Sequence, residues 1–147
     1  MQAAITQKAD YNEVWAVFDK DDFPDFDNAI LLAMDNGIQC AFSNEAIEYW
    51  FLLHIENKTK TGTLSRNKLN YELGKELGFE YEKKAEAIRR TCDQICGRLL
   101  LAEERAKVGY EWHKRNSGPM PSEWCSCTTI YALTKRLREW GNAKKNR

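Results

Sequence analysis

The chain has 147 residues, of which 43% are hydrophobic and 30% charged, with five Trp, six Tyr and six Phe. That is one domain's worth of sequence with ample material for a packed core, which excludes a disordered chain and a pair of independent domains. No apolar run approaches the ~18 residues that span a bilayer, and Met1 to Lys8 lacks the apolar core of a signal peptide; the cytoplasm is the default location and no membrane partner is expected.

Cys40, Cys92, Cys96, Cys125 and Cys127 are odd in number and mostly fall in helix-like stretches. A secreted disulfide framework favours an even count in a short chain, so these read as reduced thiols. The net charge of zero hides a split. Residues 1–57 carry 11 Asp and Glu against Lys8 and Lys20 alone, a net −9, while the remainder carries 20 Lys and Arg against 11 acids, a net +9. Acid concentrates cations and a basic surface attracts phosphate backbones, although two solvated faces give the same count.

In chain order, Glu13 to Phe18 is a short continuous apolar run, the pattern of a parallel strand buried on both faces. It stops at Asp19-Lys20-Asp21-Asp22. A helix follows from Pro24, because Phe26, Ala29, Ile30 and Ala33 share a stripe, Asp25 and Asp27 suit the first turn and Gly37 closes it. Ile38 to Phe42 is a second buried strand, and together these elements make a βαβ unit with parallel strands. Ser43 or Asn44 then caps a helix whose stripe holds Ile47, Trp50, Phe51 and His54.

Asn57 to Ser65 is polar and reads as a mobile loop. Leu69, Leu73 and Leu77 mark a short helix closed by Gly78, with Gly74 in its interior at a cost of about 1 kcal/mol relative to Ala. Residues 82–107 show the clearest helical periodicity, through Ile88, Cys92, Ile95, Leu99, Ala102 and Ala106. Asn116 to Pro121 is a break, after which Thr128 or Ser126 caps a last helix carrying Ile130, Leu133, Leu137 and Trp140 and ending at Gly141. Lys144 to Arg147 reads as a frayed basic tail. The expectation is a single α/β domain over 1–147, with a βαβα core in 1–57 and a mainly helical, basic part in 58–147.

Ligands of open α/β sheets bind beyond the carboxyl ends of the parallel strands. The first strand delivers Asp19, Asp21 and Asp22 there; the second delivers Ser43 and Asn44, with Glu48 one helical turn later. Three carboxylates within four residues repel one another without a cation, and hard oxygen donors select Mg²⁺, Mn²⁺ or Ca²⁺ over Zn²⁺. Alternation along an extended chain would put Asp19 and Asp21 on one side, within reach of one ion or bridging two. The competing reading is an acid-rich helix N-terminus favoured by the dipole, with no metal.

Three blocks of the sequence resemble the RloB-like proteins. They are Val14 to Phe23, Gly37-Ile38 through Ala41 to Ser43-Asn44, and Glu48 to His54. Leu77-Gly78 with Tyr81 and Lys83, and Ser126 to Leu133, are similar to weaker signatures of the same family. The resemblance implies a Toprim-like fold, the metal-dependent domain of topoisomerases, primases and overcoming-lysogenization-defect nucleases, and an association with restriction-modification and phage defence. It implies phosphodiester hydrolysis with Mg²⁺ or Mn²⁺ held at the DxD pair Asp19 and Asp21, with Asp22 as an auxiliary ligand. Family members begin with a strand ending in a glutamate that serves as acid or base. Only 13 residues precede Val14, so that strand is expected to be lacking and the chain to be a shortened form.

On this reading Asp19, Asp21 and Glu48 carry catalysis, while Ser43, Asn44 and His54 support them. Lys83, Lys84, Arg89 and Arg90 position a nucleic-acid backbone through phosphate contacts. The rival is a non-catalytic binding or regulatory protein, partnered in a defence complex or assembled as a homo-oligomer through an uncovered sheet edge. Three further features have bland alternatives. His54 on an apolar stripe reads first as a satisfied core histidine. Cys92, Cys96, Cys125 and Cys127 could form a zinc site but read first as small hydrophobes. Trp112 to Arg115 could clamp a single strand but equally reads as surface scatter. No glycine-rich phosphate loop, GxSxG elbow or HExxH helix occurs.

Overall fold

The computed structural model describes residues 1–59 and 62–145. Its elements are α1 (Gln2–Gln7), β1 (Trp15–Asp19), α2 (Phe26–Asp35), β2 (Gln39–Asn44), α3 (Glu48–Leu53), α4 (Arg66–Leu77), α5 (Ala85–Ile95), α6 (Leu99–Asn116), β3 (Cys127–Thr128) and α7 (Ile130–Lys145). The α/β class, the parallel β1–β2 pair and the helical second half agree with the sequence reading. Residues 57–59 and 62–65 form the expected loop, whereas Lys60, Thr61, Asn146 and Arg147 of the expected loop and tail lie outside the described residues.

The sheet has three strands in the order β1-β2-β3. β1 pairs in register from Trp15 opposite Gln39 to Asp19 opposite Ser43, and β3 runs antiparallel to β2 with Thr128 opposite Ser43. β3 carries no sequence signal because two residues are too short to show a period. Side-chain bonds hold it instead. The Thr128 hydroxyl donates to the Phe42 carbonyl (3.0 Å) and accepts from Ser43 Oγ (2.9 Å), while Thr129 Oγ1 accepts from the Phe42 N–H at 2.9 Å. β2 is therefore covered on both edges, but β1 is an edge strand.

That position overturns the expectation that the first strand is buried on both faces. Val17 is 56% exposed and lines an open groove. The opposite face of the sheet is covered by α2, where Phe26 meets Phe18 and Phe42 edge-to-face at 5.7 and 5.3 Å. Beyond β2, α3 is surrounded by the largest core cluster, which gathers Ala41, Tyr49, Trp50, Leu52, Leu53, Leu69, Ala102, Ala106 and Ile130. Residues from both parts of the chain thus share one core.

Three boundaries and the burial of one residue differ from the sequence reading, each for a local reason. Ser43 and Asn44 remain in β2, bonded to β3 and the loop before it, so α3 starts only at Glu48 and has no side-chain cap. The helix expected over 82–107 is two helices separated by a 3-10 turn, Cys96–Arg98. Thr91 and Ile95 are the buried residues of α5, and Ile95 joins Leu73, Leu77 and Tyr81 in one cluster. Ala102 and Ala106 of α6 pack around α3, and two cores in different directions need a bend. Cys92, assigned to the buried stripe, is exposed. Finally, Gly141 does not end α7, which continues to Lys145; a Cβ there would meet nothing, so the glycine imposes no turn.

α4 follows the expectation closely. Ser65 Oγ caps it by accepting from the Lys68 N–H (3.4 Å), and Gly78 closes it in the left-handed conformation with φ 75°. Gly74 is there because the chain doubles back: a Cβ at that position would lie 2.8 Å from the Phe79 carbonyl oxygen and 3.1 Å from the Tyr81 nitrogen.

Candidate functional site

β1 ends at Asp19, and the chain then turns sharply. The Phe23 N–H donates to the Lys20 carbonyl at 2.9 Å, and Asp21 takes the left-handed conformation, φ 44°, at the centre of this turn. The turn is tied to the end of β2 by Lys20 N–H to Ser43 O (2.8 Å) and Asp21 N–H to Glu45 O (2.9 Å). Alternation along an extended strand therefore stops at Asp19 and does not relate it to Asp21. Asp22 is exposed in the turn.

Asp19 is instead brought to Glu48. The backbone N–H of Ile47, immediately before α3, acts to lower the Asp19 carboxyl, and Glu48 lies in the first turn of that helix. Lys83 Nζ lies 3.5 Å from Asp19 Oδ2 and 4.0 Å from Glu48 Oε1, so one ammonium serves both acids. Glu48 is only 1% exposed; the Tyr81 hydroxyl donates to its Oε1 at 3.0 Å, while Oε2 is buried without a hydrogen-bond partner among the described residues. Burial holds the Asp19 carboxyl above its ordinary value against the pull of Lys83 and the Ile47 N–H, and Glu48 adds a smaller push upward. The phenol of Tyr81 is raised by burial and then by Glu48.

Asp21 has a separate partner, Arg66 at the start of α4, with 2.6 Å between Nη2 and Oδ2. Asp19, Asp21, Arg66 and Lys83 all line one groove of about 1030 Å³ along the free edge of β1, which Val17, Phe23 and Leu32 also line. Arg66, Tyr81 and Glu45 were not singled out from the sequence as site residues. Glu45 pairs with Lys20 (3.0 Å) beside the turn, and the only sequence signal for it was its place three residues before Glu48.

The other expected site residues sit elsewhere. Ser43 is buried against Thr128, and Asn44 Nδ2 donates to the carbonyls of Pro121 (2.9 Å) and Trp124 (3.0 Å), so both brace the β2–β3 junction rather than the groove. His54, 3% exposed, bonds the Trp50 carbonyl through Nδ1 at 2.9 Å and stands edge-to-face on the Trp50 ring. A carbonyl can only accept, so Nδ1 carries the proton and His54 is the satisfied core histidine. Lys84 pairs with Glu82, Arg90 lies 4.1 Å over the Phe79 ring and Arg89 is exposed; of the four expected phosphate contacts only Lys83 lines the groove. His113 is buried and stacked on Trp124, which removes it from a surface clamp with Trp112, Lys114 and Arg115.

Among the described residues no three or more Asp, Glu, His or Cys side chains are placed to hold a metal ion. The oxygen donors of Asp19 and Glu48 nevertheless suit Mg²⁺, which uses one or two carboxylates and keeps water and substrate phosphates as its remaining ligands. The unpartnered Glu48 Oε2 is the buried acceptor that such an ion would satisfy.

A family model described as RloB-like protein matches residues 2–137. The chain belongs to the RloB-like protein family. Neither the curated proteins nor the solved structures give a match to this RloB-like chain. The turn after β1, the start of α3 and the Tyr81–Lys83 segment all lie inside the region that the family covers. No helix among the described residues of this RloB-like chain is long and apolar enough to cross a membrane.

Proposed function

We propose that this RloB-like protein is a metal-dependent nuclease that hydrolyses phosphodiester bonds of foreign nucleic acid in the cytoplasm. Asp19 and Glu48 would hold Mg²⁺ or Mn²⁺, with Asp21 beside them. The observation that carries the proposal is Glu48, a carboxylate buried beside Asp19 beyond the end of a parallel strand with one oxygen left without a partner. An acid is kept in such a place at a cost, and a cation offsets that cost.

When bound, the ion polarises a phosphoryl oxygen and stabilises the charge that builds at phosphorus. Tyr81 fixes the Glu48 carboxylate through its hydroxyl. Lys83, which neutralises the acid pair in the protein alone, is then free to contact a phosphate, and Arg66 is placed to do the same from the Asp21 side.

The test compares the protein with Asp19→Ala and Glu48→Gln on DNA and RNA with Mg²⁺, Mn²⁺ or EDTA. Metal-dependent cleavage lost by at least ~100-fold in both variants is expected. Equal cleavage by all three proteins rejects the site. A second reading, a non-catalytic nucleic-acid-binding or regulatory protein, is favoured by the Lys83 ammonium standing between Asp19 and Glu48. It predicts binding without cleavage under every metal condition.

A further inference from the structure

Exposed apolar side chains and a cluster of charges line one and the same groove. Phe23 is 53% exposed and Val17 56% exposed, and both line the same cleft as Asp19, Asp21, Arg66 and Lys83. The turn that places Asp21 also carries Phe23, whose N–H donates to the Lys20 carbonyl, so ring and acid belong to one four-residue turn. A double helix keeps the faces of its bases stacked on one another, where a side chain cannot stack on them without first unstacking a base. An unpaired nucleotide offers both a phosphate for the cations and a π-face for the ring.

We infer that the β1 groove takes an unpaired nucleotide, with the base stacked on Phe23 against Val17 and Leu32 and its phosphate directed to Lys83 and Arg66, so that the substrate class is single-stranded nucleic acid. This rests on the nuclease reading above for the phosphate end of the groove and adds the choice of strand state. Against the acids Asp19, Asp21 and Asp25 of the lining, the groove's cations are Lys83, which a divalent ion at Asp19 and Glu48 would release to a phosphate, and Arg66, whose guanidinium keeps N–H donors beyond its pair with Asp21. The apolar wall has no part in hydrolysis itself.

The experiment measures binding of a short, fluorescently labelled, phosphorothioate-substituted oligothymidylate and of the same strand annealed to its complement, in Mg²⁺. It uses wild type, Phe23→Ala and Phe23→Trp, with cleavage of unmodified strands read in parallel. The expected result is preference for the single strand, weakened by about 5- to 100-fold in Phe23→Ala and restored in Phe23→Trp, with duplex binding unchanged by either variant. Because Phe23 is exposed, its removal leaves the fold intact, which a far-UV spectrum and melting curve check. Equal binding of single strand and duplex, or an unaffected Phe23→Ala, overturns the inference while leaving cleavage to judge the nuclease reading. Absent cleavage with a Phe23-dependent single-strand preference rejects the nuclease and keeps the groove assignment. Sedimentation of wild type and Phe23→Ala covers the competing occupant: a wild-type dimer that Phe23→Ala dissociates would assign the groove to a second copy of the chain and overturn the proposal.

Discussion

His54 and His113 are both buried, and burial holds both imidazoles below their ordinary value of 6.5. At His54 the Trp50 and Phe51 carbonyls pull the other way and lose, while the charge of Arg105 adds a small push in the same direction as burial. The unfolded chain therefore takes up protons first as the pH falls, and stability is lost below about pH 6.5 until the folded state is protonated in turn. Urea denaturation at a series of pH values is expected to show this decline. His54→Phe should flatten part of it and leave the part due to His113, and an unchanged slope would refute the assignment. Tyr81 supplies a second check at this scale. Tyr81→Phe removes from the buried Glu48 its hydrogen-bond donor among the described residues, at an expected cost of about 1–3 kcal/mol in urea denaturation.

Among the elements, α4 offers the sharpest test of packing against propensity. Gly74→Ala would gain about 1 kcal/mol of helix propensity in an isolated helix. Here the added Cβ meets the backbone of Phe79 and Tyr81, which lie in the segment that carries the Glu48 partner. A net loss of about 1–3 kcal/mol is expected, and a rise in the midpoint of thermal unfolding would show that the return chain can yield. α6 and α7 are joined by a different device. Glu103, mostly buried on α6, accepts from Thr134 Oγ1 (3.0 Å) and from Arg138 Nη2 (2.6 Å) on α7. Arg138→Ala should cost about 1–3 kcal/mol by chemical denaturation, since Arg138 is itself partly exposed and water recovers some of the loss.

For the molecule as a whole, the acidic and basic parts of the chain are not separate bodies. Ala41, Trp50, Leu69, Ala106 and Ile130 belong to one cluster, so far-UV dichroism and tryptophan fluorescence should report a single coincident unfolding transition. Two separated transitions would contradict that expectation. The charge split acts through specific side chains instead. Lys83 and Arg66 come from the basic part and meet Asp19 and Asp21 from the acidic one, which is how a −9 half and a +9 half build one site. Nucleic-acid affinity is expected to fall steeply as salt rises from about 50 to 200 mM, as counterion release requires, and salt-insensitive binding would remove phosphate contact from the account.

Much of the local structure was legible in the residue order. The strand run up to Phe18, the stripe Phe26-Ile30-Ala33, the αL stop at Gly78 and the crowding of α3 all follow from periodicity and backbone preference, which act over a few neighbouring residues. The acidic strand end was equally legible, but its meaning was not. Spacing suggested Asp19, Asp21 and Asp22 as a cluster. A left-handed residue in the turn separates them, and tertiary contacts regroup Asp19 with Glu48, Tyr81 and Lys83, residues up to 64 positions away. β3, the bend between α5 and α6 and the exposed edge of β1 were likewise decided by packing, because each depends on what lies alongside rather than on what comes next. The sequence by itself determined the family and the longer periodic elements, which depend on neighbouring residues; only the tertiary structure decided the short strand β3, the α5–α6 bend, which carboxylates share a cation and which strand edge is left open.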